Sequence, residues 1–330
     1  MTAPEPASAR IDVLTVGHAL VDVLSGADDA FLEAEGLEKG IMSLIDDARA
    51  RHLYERMAQG SETSGGSAAN TATGVVACGG TAAFVGVVAD DQLGEIFAHD
   101  LRAAGVVYRT PPVSGSSHTG RSMIVVTPDG ERTMNTNIGV SNHVSIEHLD
   151  HDLLAAARVT YVEGYLFDDA HPLDAWVAVA DTVHAAGNRF SITLSDPFCV
   201  DRHRKLFLEL LDSVDVCFGN EEELCSLFEV DDLDAALDRL AERCEVGAIT
   251  RGARGSVLVS GAERVRVAAE PVSVVDTTGA GDLYASGVLA GLTQGWDLER
   301  CGRMGSRAAA AVVSRMGARL VGMVPPLLDL

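Results

Sequence analysis

Cations are scarce in this 330-residue chain. Lys and Arg number 25 against 48 Asp and Glu, a net charge of −23. A surface this acidic repels nucleic acid and anionic membranes, so neither is expected as a partner. A small anionic ligand stays compatible, since a few local N–H groups and cations can hold one. Aromatics are also few, 5% against 47% hydrophobic residues overall, so Ala, Val and Leu must build the core. No apolar run reaches the ~18 residues that suggest a membrane-spanning helix. No C-x-x-C pair occurs, and several of the six cysteines sit in apolar runs. They read as buried free thiols in a reducing cytoplasm. The ten His are scattered without the spacing of a metal site. "MTAPEPASAR" lacks the apolar stretch of a secretory signal and reads as a short disordered tail. Two phosphate-binding sequences are missing as well. There is no G-x-x-x-x-G-K-[ST], and no G-x-G-x-x-G follows the first apolar run. Both absences argue against P-loop and dinucleotide enzymes.

What is present is alternation. Short β-branched runs such as "IDVLTVG" (11–17), "RVTYVEGYL" (158–166), "RFSITLS" (189–195), "VDVCFG" (214–219) and "VGAIT" (246–250) alternate with amphipathic stretches. Repeated strand–helix units predict a parallel sheet with helices on both faces. The segment after Ser67 is rich in small residues and suits a closely packed helix, with Ser67 at its N-cap. Two segments break the pattern: 23–45, which contains "KGIMSLID", and 107–137, where "RSMIVVTPDGERTMNTN" reads as a hairpin. They are expected to pair into a small separate sheet. The expected domains are 1–22, 46–106 and 138–330 for the large α/β unit, and 23–45 with 107–137 for the small one.

The chemistry concentrates in "SVVDTTGAGDLYASG" (273–287). Gly279, Ala280 and Gly281 end a β-branched run and open a helix-like one. Their N–H groups are uncovered, which suits an anion. Asp282 follows in the first helical turn. One reading is that it only complements the helix dipole. The other is that the N–H groups hold a transferring phosphoryl group while the carboxylate takes a proton from the attacking hydroxyl.

"DTTGAGD" (276–282) resembles the C-terminal signature of the ribokinase/PfkB carbohydrate kinase family. Other family-like motifs follow in the same order: "GGSAAN" (65–70), "VGVVADDQLG" (85–94), "GNEEE" (219–223) and "TRGARG" (250–255). The resemblance runs from Val13 to about Leu320. It implies a ribokinase-like fold in which a β-sheet lid covers the substrate. It implies Asp282 as catalytic base and Gly279, Ala280 and Gly281 as anion hole. By the same resemblance, Gly65, Gly66, Ser67 and Asn70 meet the sugar. Asn220, Thr250, Gly252 and Gly255 lie along ATP, and Glu223 organises Mg²⁺ through water. Asp276 and Thr278 match positions that hold K⁺ in some relatives. Each motif also has a plain structural reading. Asn220 and Glu223 fit a capping box, Gly252 and Gly255 an ordinary turn, and Gly65 and Gly66 tight helix packing.

Within the family, several segments resemble adenosine kinases. "VGHALVDV" (16–23) places Asp22 where a carboxylate grips ribose hydroxyls, a suitable acceptor pair for a diol. "GYLFD" and "SDPFCVDRHR" place Leu166 and Phe198 at purine-pocket positions. "GERTMNTNIGVSN" matches the lid, with Arg132 near the phosphates and Met134, Thr136 and Ile138 facing the base. His18 departs from the Asn usual beside the sugar. The implied activity is transfer of the γ-phosphoryl of ATP to the 5′-hydroxyl of a purine nucleoside, adenosine first, in the cytoplasm, by a monomer or homodimer. Two rivals stand beside it: a kinase of a free sugar such as ribose or fructose, and a nucleoside-binding sensor without catalysis.

Overall fold

The computed structural model describes residues 10–115, 118–149, 151–168 and 172–320. The N-terminal tail read from "MTAPEPASAR" lies outside them except for Arg10. Among the described residues the strands are, in chain order, β1 Ile11–Val16, β2 Leu20–Gly26, β3 Met42–Leu44, β4 Ser61–Gly65, β5 Ala82–Val85, β6 Val107–Tyr108, β7 Gly120–Val126, β8 Arg132–Asn137, β9 Ala157–Glu163, β10 Arg189–Thr193, β11 Val216–Asn220, β12 Val246–Thr250, β13 Ser256–Ser260 and β14 Glu263–Val267. They form two sheets. The large one runs β14-β13-β12-β11-β10-β9-β1-β5-β6. Its pairs from β12 to β6 are parallel, and β13 and β14 add an antiparallel edge.

Strands of a parallel sheet are covered on both faces, so they read as nearly continuous apolar runs. Successive side chains of β1 nonetheless go to opposite sides. Leu14 and Val16 enter a core shared with Phe190, Ile192, Trp176 and Phe207. Val13 enters another core, with Ala68, Ala72, Phe84, Phe97, Tyr284 and Val288. Six of the acidic residues serve helix starts. Asp28, Asp46, Asp91, Asp196, Asn220, Asp232 and Asp297 each accept from a backbone N–H three residues on, satisfying a donor that the helix itself cannot. No described helix is long and apolar enough to cross a membrane.

The second sheet runs β3-β8-β7-β2-β4, and its boundaries differ from those expected. It takes in β4 from outside segment 23–45, and the helix Asp47–Arg56 packs beneath it through Ala50 and Leu53 against Met123. The small polar residues of "SETSG" carry no strand signal. Conversely, β6 leaves segment 107–137 for the large sheet. Tyr108 explains why: it is buried against the rings of Phe84 and Phe97, 5.8 and 5.6 Å away, and donates its hydroxyl to the Gly86 carbonyl. The β7–β8 hairpin forms as its sequence predicts, antiparallel across Pro128–Gly130.

Candidate active site

The site lies beyond the carboxyl ends of the parallel strands, where β1 stands between β9 and β5 and the chain crosses to the small sheet. Crevices of this kind are where open α/β sheets bind ligands. Two helices begin there, Ser67–Ala77 and Ala280–Thr293. Neither has a side-chain cap. Gly66 (φ +92°) and Gly279 (φ +76°) hold their N-cap positions in backbone conformations that favour glycine. A Cβ on Gly66 would lie 2.2 Å from the His18 carbonyl oxygen, and one on Gly279 would lie 2.7 Å from that of Ala318. The expected N-cap, Ser67, is instead the first helical residue. Its hydroxyl is turned to a different partner.

That partner is Asp282. Ser67 Oγ donates to Asp282 Oδ1 (2.7 Å), and Asn70 Nδ2 donates to Oδ2 (2.9 Å). The Gly-Gly motif and the C-terminal signature, more than 200 residues apart in sequence, thus meet at one carboxylate. Burial pushes the Asp282 carboxyl up to about 6, against the pull of these two donors. Glu163 adds to the rise, and Arg319 opposes it. Beside the carboxylate, the Ala280 N–H donates to the Thr277 carbonyl (3.2 Å), the next N–H groups of helix Ala280–Thr293 have no intrahelical acceptor, and space opens where a Gly281 side chain would stand. An anion fits that cradle.

Asp22, in the middle of β2, is the second carboxylate. It is in register with Thr63 of β4 and Ser122 of β7, and Ser122 is in register with Thr136 of β8. Cross-strand partners share a face, so Asp22, Ser122 and Thr136 form one row; Ser122 and Thr136 join hydroxyls at 2.9 Å. The Asp22 carboxylate lies on Gly65, where a Cβ would come within 2.5 Å of it. Burial pushes its carboxyl up to about 6, with Asp282 and Asp276 adding to the rise and Arg319 and Arg132 opposing it.

Arg132, at the start of β8, reaches from the small sheet to the loop before the anion cradle. It pairs with Asp276 and donates to Thr278 Oγ1 (3.0 Å). Asp276 also accepts from the backbone N–H groups of Thr278 (3.0 Å) and Gly317 (2.7 Å). The two residues matched to a monovalent-cation position therefore already face a guanidinium. Met134 is half-buried on β8. Thr136 and Ile138 line a cleft of about 610 Å³ with Leu44, Ile45 and His118.

At the nucleotide end, the structure contains the capping box. Asn220 Oδ1 accepts from Glu223 N (2.8 Å), and Glu223 Oε2 accepts from Asn220 N (3.0 Å). Glu223 is buried, and burial pushes its carboxyl up to about 7. Asn220 and Thr250 sit side by side at the ends of β11 and β12. Gly252 and Gly255, both with positive φ, shape the following turn.

Two expected residues are placed otherwise. Leu166 is completely buried in the core below the site, so it supports the pocket rather than lining it. Phe198 is 72% exposed on the first turn of helix Pro197–Leu210. Two charged residues that the sequence reading passed over are central. Glu163, 1% exposed at the end of β9, accepts from the backbone N–H groups of His18 (2.7 Å) and Ala68 (2.8 Å) and pairs with the His18 ring (3.2 Å). A Cβ on Gly17 would lie 2.2 Å from this carboxylate, so "VGH" is shaped around an acid 146 positions away. Arg319, near the end of the described chain, donates to Asn70, Ser64 and the Gly65 carbonyl.

The crystal structure of adenosine kinase from Sinorhizobium meliloti is 50% identical and superposes with a TM-score of 0.89, over 95% of this chain and 97% of that one. A probable sugar kinase from Rhizobium etli is 49% identical, with a TM-score of 0.89 over 95% and 96%. The adenosine kinase of Saccharomyces cerevisiae is 28% identical over 96% of both chains. Residues 41–323 match the pattern described as "pfkB family carbohydrate kinase". With its ribokinase-like architecture and its paired sheets, the chain belongs to the PfkB family of carbohydrate kinases.

Proposed function

We propose that this ATP-dependent kinase phosphorylates the 5′-hydroxyl of a purine nucleoside, with adenosine as the preferred acceptor. One observation carries the reading. A buried carboxylate, Asp282, stands at the uncapped start of a helix and is held by the Gly-Gly motif, with a second carboxylate, Asp22, in the adjoining small sheet. ATP with Mg²⁺ supplies the phosphoryl group and balances its charge. The chain does the rest. Asp22 accepts hydrogen bonds from the ribose diol and fixes the sugar. Asp282 accepts the 5′-hydroxyl proton as that oxygen attacks. The N–H groups of 279–281 hold the anionic oxygens on the far side. Asn220, Thr250, Gly252 and Gly255 lie along the nucleotide. Both Glu223 oxygens are engaged by Asn220, so Glu223 would hold Mg²⁺ through water. The names of relatives from Sinorhizobium meliloti and Saccharomyces cerevisiae support adenosine.

The test is single-turnover transfer from Mg-ATP to adenosine, inosine, guanosine, ribose and fructose. Fastest transfer to adenosine is expected. Transfer to ribose or fructose alone would make it a sugar kinase, the reading that the Rhizobium etli relative's name favours. Tight adenosine binding without product would make it a sensor.

The small sheet is proposed as a lid, with Arg132 tying it to the 276–278 loop. A cover that must open exposes its face part of the time, so it belongs among the less protected regions. Adding nucleoside should slow amide hydrogen exchange in β2, β7 and β8 together. Slowing confined to 250–282 would show that no lid closes on the acceptor.

A further inference from the structure

The C-terminal segment beyond helix Leu298–Val313 belongs to none of the motifs, yet it sends a guanidinium into the site. Arg319 Nε donates to Asn70 Oδ1 (2.9 Å), one terminal nitrogen donates to the Gly65 carbonyl (3.1 Å), and the other donates to Ser64 Oγ. Ser64 is held from the other side by Asp100, which accepts from its N–H (3.2 Å) and its hydroxyl (3.1 Å). The Asn70 contact decides an orientation. A side-chain amide can present either its oxygen or its NH₂ in a given direction. An arginine N–H can only donate, so it fixes the oxygen toward Arg319 and the NH₂ toward Asp282, 2.9 Å away.

We propose that Arg319 is a positioning residue for phosphoryl transfer: its fork fixes Asn70, which donates to Asp282, and Gly65, on which the Asp22 carboxylate lies. The inference rests on the reading of Asp282 as the base. The groups acting on Asp282 come from every side. Ser67 and Asn70 donate from helix Ser67–Ala77. Glu163 of β9 faces it, Tyr161 and Tyr165 lie within its field, and Asp22 acts from β2. Glu163 and Asp22 are negative. Arg132 acts on Asp22, but its guanidinium is engaged with Asp276. Arg319 opposes the rise of both carboxyls, more strongly for Asp22 than for Asp282, and burial draws its own value down to about 10. Lysine could supply the charge but not the planar three-way fork.

The experiment compares R319Q, R319K and D282N with the parent by pH profiles of kcat/KM and by separate KM values for acceptor and ATP. R319Q should move the acid limb upward, the direction in which loss of a nearby cation and of a fixed donor shifts a carboxyl. R319K should keep the limb near the parent's but raise the acceptor KM several-fold, leaving the ATP KM unchanged. A general loosening of the fold would alter both KM values and leave the limb in place. If R319Q does not fold, R319K decides: an acceptor KM equal to the parent's overturns the proposal. An inactive D282N beside an unmoved limb in R319Q overturns the role of Arg319 alone. A D282N as active as the parent overturns the base reading and the proposal with it.

Discussion

Asp282→Asn should lower kcat by about 10²–10⁴-fold, the usual cost of losing a general base, while acceptor and ATP still bind. The substitution keeps the size and one of the two contacts. The amide oxygen can still accept from Ser67 Oγ, but an amide has no useful affinity for the acceptor's proton. Its NH₂ would also face that of Asn70, whose orientation Arg319 fixes. Asp282→Ala removes that second conflict and should fall as far in rate, which separates proton transfer from local repulsion. The pH profile gives a second check, read in the Asp22→Ala background because Asp22 is raised to about 6 as well. The free Asp282 carboxyl is raised to about 6, and only its ionised form can take a proton. In that background, kcat/KM should therefore climb as pH rises through about 6 and level off above 7. Retention of more than about a tenth of kcat in Asp282→Asn, below the range for losing a general base, would remove the residue from its role.

Legibility in the sequence followed distance along the chain. "DTTGAGD" was readable because cradle and carboxylate are contiguous, so one short stretch shows both. Asn220 and Glu223 were readable as a capping box because its two bonds span three residues. The alternation of runs was enough to indicate the parallel sheet, since each strand is covered on both faces. Glu163 and Arg319 gave no such signal. Their partners lie 95 to 255 positions away, and an isolated Glu or Arg in a sequence looks like any solvated charge. β4 leaves no mark in the sequence because "SETSG" forms its pairing through backbone groups, with small side chains that give no apolar alternation. Leu166 lies in the turn after β9, but a sequence cannot say whether a leucine faces a pocket or the core beneath. The helix starts carry one further signal. Most helices here start on an Asp or Asn cap, whereas the two at the site start on glycine. Helix Leu173–Ala185 also lacks a side-chain cap, on Pro172, so the distinguishing signal is the glycine start, which leaves the N-terminus open to an anion.

Asp22→Ala should weaken nucleoside binding by about 10²–10³-fold and leave ATP binding nearly unchanged. Two charge-assisted hydrogen bonds to a diol contribute on the order of 3–5 kcal/mol together, and each ~1.4 kcal/mol is a factor of ten. The geometry makes the residue hard to replace. Its carboxylate lies against Gly65, with no side chain between them, and Ser122 and Thr136 are tied to each other in the same row. Neither hydroxyl carries the charge that a carboxylate brings to a diol. The loss should also appear in the ligand. In the parent, 2′-deoxyadenosine surrenders one of the two hydroxyls and should bind more weakly than adenosine. In Asp22→Ala that difference should nearly vanish, because the group that senses the hydroxyl is gone. The acid side adds a third constraint. Asp22 is raised to about 6 by burial, and a diol donates best to the ionised form. Nucleoside affinity should therefore fall as pH drops through that value in the parent and stay flat in the variant. Calorimetry of both ligands against both proteins measures all three effects. An Asp22→Ala protein that binds adenosine as the parent does, and still prefers it to 2′-deoxyadenosine, would place the ribose elsewhere in the site.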